Sequence, residues 1–169
     1  VGNWIYNNTL NNKSRYILGE RGKNPLVCIG VNPSTATPYK LDNTLRVVKS
    51  RALSLGYDSW IMINLYPQRA TDPNKLHKNI DLKIHRENLK AISELLMGNS
   101  YDIWVAWGTL IEKRKYLKRC LFDLSKILED NKIYSIGKIS KKGHPHHPLY
   151  LRNNLPIEKF NILNYIKNI

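Results

Sequence analysis

Apolar residues fall along the chain in two kinds of pattern. Short, nearly continuous runs cover Leu26 to Val31, Trp60 to Leu65, Ile103 to Trp107 and Ile133 to Ile136. Each is of strand length and rich in Val, Ile and Trp. Between them apolar positions recur at three- to four-residue spacing or its multiples: Leu45, Val48, Ala52 and Leu55; Leu89, Ile92, Leu95 and Leu96; Leu110, Leu117, Leu121, Leu124 and Leu128. That spacing predicts three helices, each with one face in the core. Gly56, Gly98 and Asn131 stand just past these stripes, where a left-handed C-cap belongs. The pattern also predicts a last helix from Pro156 to about Lys167, and an N-terminal hairpin or edge element from Trp4 to Tyr6 with Tyr16 to Leu18.

Strands alternating with helices imply a three-layer αβα sandwich around a central, mainly parallel sheet of about four strands. Without repeats, Gly/Ser linkers or a shift in composition, residues 1–169 read as one domain. In such sheets the ligand site gathers beyond the carboxyl ends of the strands. Those ends are Gly30-Val31-Asn32-Pro33-Ser34-Thr35, Asn64-Leu65-Tyr66-Pro67 and Trp107-Gly108-Thr109; the fourth strand leads through Lys141-Lys142 into Gly143-His144-Pro145-His146-His147-Pro148-Leu149-Tyr150. Gly and Asn-Pro commonly end strands, so one such segment says little. Four on one rim predict a site.

Charge adds a partner to this picture. The 169 residues hold 27 Lys and Arg against 13 Asp and Glu, a formal net charge of +14, which favours a polyanion such as DNA. The abundance of Asn, Lys and Ile is also what an AT-rich genome produces. Drift alone would spread the excess evenly, yet residues 52–109 carry six basic and six acidic groups while the flanks are basic. Two cysteines are too few for a disulfide scaffold, a four-Cys zinc site or an iron–sulfur cluster. Nothing approaches the roughly 18 apolar residues of a membrane span, and the polar start does not read as a secretory leader. The expected setting is cytoplasmic, without membrane association, cofactor or obligate protein partner.

Common catalytic signatures are missing. Neither Gly-x-x-x-x-Gly-Lys-Ser/Thr nor Gly-x-Gly-x-x-Gly occurs, nor a Gly-x-Ser-x-Gly elbow around Ser34. His144, His146 and His147 lie close in sequence, but the flanking prolines hold them extended and no Cys or carboxylate stands at a ligand spacing, so no metal site is expected.

Taken in order, Ile29 to Ser34, Ile63 to Leu65, Trp104 to Gly108 and Gly143 to Leu149 resemble the motifs of the uracil-DNA glycosylase superfamily. More closely, residues from about Arg15 to Leu151 resemble a bacterial family of unknown function, through Asn32 to Ala36, Asn64-Leu65, Arg69 to Pro73, Trp107-Gly108 and Gly143 to Tyr150. The resemblance implies that a nucleotide is flipped from DNA and its N-glycosidic bond hydrolysed, leaving an abasic site. Such chemistry needs a positioned water, a donor to the departing base and a group that reads the base edge.

On that resemblance Asn32 orients the water, with Asp42 or Asp72 as a supplementary base. The plain alternative for Asn32 is an Asx turn before Pro33. His144 and His147 both align with the histidine that hydrogen-bonds the base; His147 is preferred, because Leu149 or Tyr150 then follows as a wedge into the base stack. Asn64 takes the base-reading position, its alternative being a cap on the following loop. Ser34 stands where the uracil-specific family has a Tyr that blocks carbon 5, which implies a pyrimidine enlarged there, such as hydroxymethyl- or glucosyl-hydroxymethylcytosine, and a role in defence against phages. Tyr39 or Tyr66 is expected to stack on the flipped base. Arg46, Arg69, Lys141, Lys142 and Arg152 are expected on phosphates, and either lysine is the candidate amine for a lyase variant. The rival readings are a non-catalytic nucleic-acid-binding module, host uracil or mismatch repair, and hydrolysis of a free modified nucleotide.

Overall fold

The computed structural model describes residues 3–169. Its strands are β1 (Trp4–Asn8), β2 (Arg15–Glu20), β3 (Pro25–Gly30), β4 (Ser59–Asn64), β5 (Asp102–Val105), β6 (Lys132–Ile136) and β7 (Ile157–Lys159). Its helices are α1 (Asn43–Ser54), α2 (Leu82–Leu96), α3 (Tyr116–Ile127) and α4 (Ile162–Lys167). The four apolar runs form β3, β4, β5 and β6, which pair in parallel in the order β4-β3-β5-β6. The expected four strands are therefore the centre of a larger sheet. β1 and β2 form the N-terminal hairpin and add antiparallel to β4, while β7 adds antiparallel to β6, giving a mixed sheet of seven.

Alternation along the strands builds the layers. Val27 and Ile29 of β3, with Ile103 and Val105 of β5, face a core closed by Ile92 of α2, Leu121 of α3 and Tyr165 of α4. Leu26, Cys28 and Trp104 face the other way, onto Leu45, Val48 and Ala52 of α1. Helices thus cover both faces. The chain runs from β3 through α1 to β4, then through α2 past β3 to β5, so the crossing changes sides at the carboxyl end of β3. That reversal opens a crevice.

Three boundaries differ from the sequence pattern. Leu110 lies in a separate 3-10 turn, Gly108–Lys113, because the chain must bend out of β5 before α3 begins. Pro156 precedes strand β7 rather than a helix, and α4 starts only at Ile162, capped by the Asn161 side chain on the Asn164 amide. Gly56 and Gly98 have positive φ as expected, but Asn131 does not; its carboxamide accepts from the Tyr101 amide and ties the loop before β5 to the loop before β6. No helix among the described residues is long and apolar enough to cross a membrane.

Candidate functional site

A cleft of about 370 Å³ opens at the carboxyl end of β3. Its walls are Gly30 to Thr35, the α1 entrance at Asp42 to Leu45, Met62 and Asn64 of β4, Ala70 and Thr71, Ala106 and Leu110 beyond β5, and His147 to Leu149. Strand ends separated by more than a hundred residues of sequence therefore share one cavity.

Asn64 lies at its floor with 1% of its surface exposed. Its backbone carbonyl accepts from the Asn88 side chain at 2.9 Å, but neither its Nδ2 nor its Oδ1 has a partner among the described residues. Leaving a buried donor and acceptor unmade costs roughly 1–3 kcal/mol for each. A loop cap would show bonds to the loop, so the capping alternative fails. The amide is held ready for something that enters the cleft. A Cβ on Gly30 would stand 2.7 Å from Met62 Cε and 3.0 Å from Asn64 Oδ1, so glycine keeps the space beside that amide open.

Asn32 is anchored differently. Its Nδ2 donates to the carbonyls of Pro33 (3.0 Å), Gln68 (3.3 Å) and Ala70 (2.9 Å), which identifies the nitrogen and leaves Oδ1 as the free end. An anchored carboxamide can offer an acceptor to water at a constant place. This environment also predicts that Asn32→Asp is destabilising: carboxylate oxygens would face three carbonyls where a donor is required. We expect a loss of about 2–3 kcal/mol in chemical denaturation.

The two alignable histidines have different surroundings. His144 is buried and its Nδ1 is 2.6 Å from the Tyr165 hydroxyl, which itself accepts from Trp107 Nε1 at 2.9 Å. The Tyr165 hydroxyl therefore links Trp107 to His144, whose Nε2 lies 3.5 Å from the Glu112 carboxylate. This chain ties α4 to the strand ends. The contact with His144 holds the Glu112 carboxyl below its usual range. His147 instead lines the cleft. Its Nδ1 accepts from the Leu149 amide at 3.2 Å, so a neutral ring carries its proton on Nε2. Burial pushes its pKa below the ordinary value, against the opposing pull of Asp42. The loop is seated by Gly108, whose amide donates to Pro145 O at 2.9 Å; its φ is +59, and a Cβ added there would stand 3.2 Å from His147 Cβ. Only glycine suits both demands.

Asp42 reaches the cleft while capping α1 through the Leu45 amide at 2.9 Å; Asp72 does not line it and caps the 3-10 turn Pro73–Lys75. Ser34 lines the cleft with its hydroxyl 2.8 Å from that of Thr71. The two stacking candidates are corrected. Tyr66 is fully buried, its hydroxyl committed to His77 and the Asp81 amide, and Tyr39 is exposed at positive φ with its ring edge-on to Trp4. Neither lines the cleft.

The expected phosphate contacts divide as well. Arg69 turns inward, donating to Ser34 O (2.6 Å), Ala36 O (3.0 Å) and the Tyr6 hydroxyl (2.9 Å), so it braces the Asn32 loop instead of facing a strand. Arg46, Lys141 and Arg152 are exposed; Lys142 lies 3.5 Å from Glu112, and neither lysine lines the cleft as a lyase amine would have to. Leu149 and the 81%-exposed Tyr150 stand on the 3-10 turn Pro148–Tyr150 at the rim. Among the described residues no three His, Cys, Asp or Glu side chains converge as metal ligands.

Sequence reasoning missed Arg15, which lines the cleft while 98% buried. The available signal was a charged residue at the head of an apolar strand. A family described as proteins of unknown function (DUF1643) matches residues 15–149. No curated protein and no solved structure matches the chain significantly.

Proposed function

The chain belongs to the DUF1643 family, and from the geometry of its cleft we propose that it is a monofunctional DNA glycosylase that excises a pyrimidine enlarged at carbon 5. The observation that carries this reading is Asn64: a buried carboxamide with both polar atoms unpartnered suits the edge of a base that supplies one donor and one acceptor. The resemblance of the strand-end motifs to the uracil-DNA glycosylase superfamily supports it, as does the meeting of Asn32, Asn64 and His147 in one cleft. Ser34, small and tied to Thr71, leaves space where the uracil-specific family places a Tyr.

In this mechanism the base enters the cleft and pairs with Asn64. Asn32 Oδ1 accepts from a water and directs its oxygen at the sugar carbon, and Asp42 takes the proton. The bond from that carbon to the base nitrogen breaks with its electron pair on the base, where charge gathers at a carbonyl oxygen. The Nε2–H of neutral His147 stabilises that charge, an electrostatic role that does not require the imidazole to lose its proton. Leu149 or Tyr150 fills the gap in the stack. An enzyme of this preference attacks only DNA carrying such bases, which fits defence against phages with modified cytosines.

Since burial holds the His147 pKa down, the working neutral form persists as pH falls through the ordinary value of 6.5. The base-release rate should stay level through that value and decline only below it, as protonation of Nδ1 breaks the bond from the Leu149 amide that aims the ring. A decline centred at or above 6.5 would contradict the role. Salt should act modestly: with Arg69 turned inward and Lys142 beside Glu112, Arg46, Lys141 and Arg152 remain for phosphates. Three contacts predict a slope of about −3 for log affinity against log salt, measured by fluorescence anisotropy on a labelled duplex.

The direct test is release of free base from DNA containing C5-modified cytosines. Tight DNA binding with no released base, on any modified substrate, would favour a non-catalytic binding module.

A further inference from the structure

Arg15, at the head of β2, and Arg69, beyond β4, both bond the Ser34–Ala36 loop, and neither forms an ion pair among the described residues. Arg69 already satisfies the carbonyls of Ser34 and Ala36. Arg15 adds only a longer, 3.2 Å bond from Nη1 to the same Ala36 carbonyl, and its Nε has no partner although the residue is 2% exposed. As a brace it is redundant. It lines the cleft, and a guanidinium can grip a planar or tetrahedral anion through two N–H groups at once.

The loop is arranged to match. With the carbonyls of Ser34 and Ala36 drawn to the arginines, the amides of Ser34, Thr35 and Ala36 find no acceptor among the described residues. The entrance of α1 is already occupied by the Asp42 carboxylate, which caps it through the Leu45 amide and lines the same cleft. Burying a cation without an ion-pair partner is unfavourable, and here the cation also feels its neighbour: burial and the Arg69 charge push the Arg15 pKa down to about 10, against the weaker opposing pull of Asp42. An entering anion relieves both.

We propose that Arg15 and the amides of Ser34 and Thr35 form a phosphate subsite, which takes the phosphate of the nucleotide whose base faces Asn64. The proposal rests on the glycosylase reading for its base partner, but a phosphodiester of a strand and a phosphomonoester of a free nucleotide present the same chemistry to it.

The test follows the amide NMR signals of Ser34 and Thr35 as phosphate replaces chloride at constant ionic strength. It then compares affinities for deoxycytidine, dCMP and a short single-stranded oligonucleotide. We expect phosphate to move those signals, and a phosphate-bearing ligand to bind at least about tenfold more tightly than the nucleoside. In Arg15→Lys, with its melting temperature checked, most of that factor should vanish, because lysine keeps the charge but not the fork. Tighter binding of the oligonucleotide than of dCMP supports the subsite as a strand contact, and the reverse supports it as a monoester site. Should the variant unfold, the parent titration decides: unmoved amides and equal affinity for nucleoside and nucleotide overturn the proposal. Phosphate binding without base release would leave the subsite standing and remove the glycosylase reading. Base release with no phosphate response, and an unchanged KM in Arg15→Lys, would do the opposite.

Discussion

Asn64→Ala should abolish base release while leaving the protein at least as stable as the parent. In most buried asparagines alanine removes bonds, and stability falls. Here the side chain makes none: Nδ2 and Oδ1 are both buried without partners, and the one bond at this residue, from Asn88, goes to the backbone carbonyl that alanine retains. The substitution deletes two unsatisfied groups, worth roughly 1–3 kcal/mol each, and offsets that gain by a small cavity costing on the order of 1 kcal/mol. We expect a melting temperature unchanged or a few degrees higher. In the proposed function this amide reads the base edge, so single-turnover release should drop about 100-fold or more. A variant that lost stability and kept activity would show that Asn64 serves the fold.

The second large effect separates the histidines. His147→Ala should lower the rate of base release by about 10²- to 10³-fold, the usual cost of removing one donor to a developing anion, with little change in melting temperature. His144→Ala should behave in the opposite sense. It takes from Tyr165 its hydrogen-bond partner in the buried chain from Trp107, a loss of about 2–3 kcal/mol, and slows the proposed reaction only as far as the loop loosens. Chemical denaturation beside single-turnover kinetics reads both quantities on the same samples. If His144→Ala lost catalysis at full stability while His147→Ala did not, the roles assigned to the two rings would be reversed.

Periodicity reveals the centre of this fold because β3, β4 and nearly all of β5 are buried on both faces and their run length leaves little choice. The edges are harder to read. β7 has three residues, one half-buried and two exposed, and no composition of its own, so the pattern around Pro156 passed for a helix start. In the cleft, Asn32, Ser34, Asn64 and His147 meet where strand-end reasoning places them, and Asp42 joins them from the α1 entrance. The failures are all residues whose identity suits two environments. Tyr66 and Tyr39 offer the same ring, but one is sealed in the core by His77 and Asp81 and the other leans on Trp4. Arg69 looks like a phosphate ligand and braces a loop, while Arg15 looks like a strand residue and opens on the cleft. Charge alone cannot distinguish these, since the direction of a guanidinium depends on carbonyls contributed by another part of the chain.

The central claim is that this cleft removes a C5-enlarged pyrimidine from DNA. Purified protein incubated with DNAs carrying cytosine, uracil, 5-methylcytosine, hydroxymethylcytosine or glucosylated hydroxymethylcytosine, followed by mass spectrometry of the released base, measures it directly. We predict release of an enlarged pyrimidine with matching alkali-labile sites in the strand, and none with Asn64→Ala. Release from uracil-containing DNA alone would contradict the proposed specificity, and no release from any of them would contradict the enzyme.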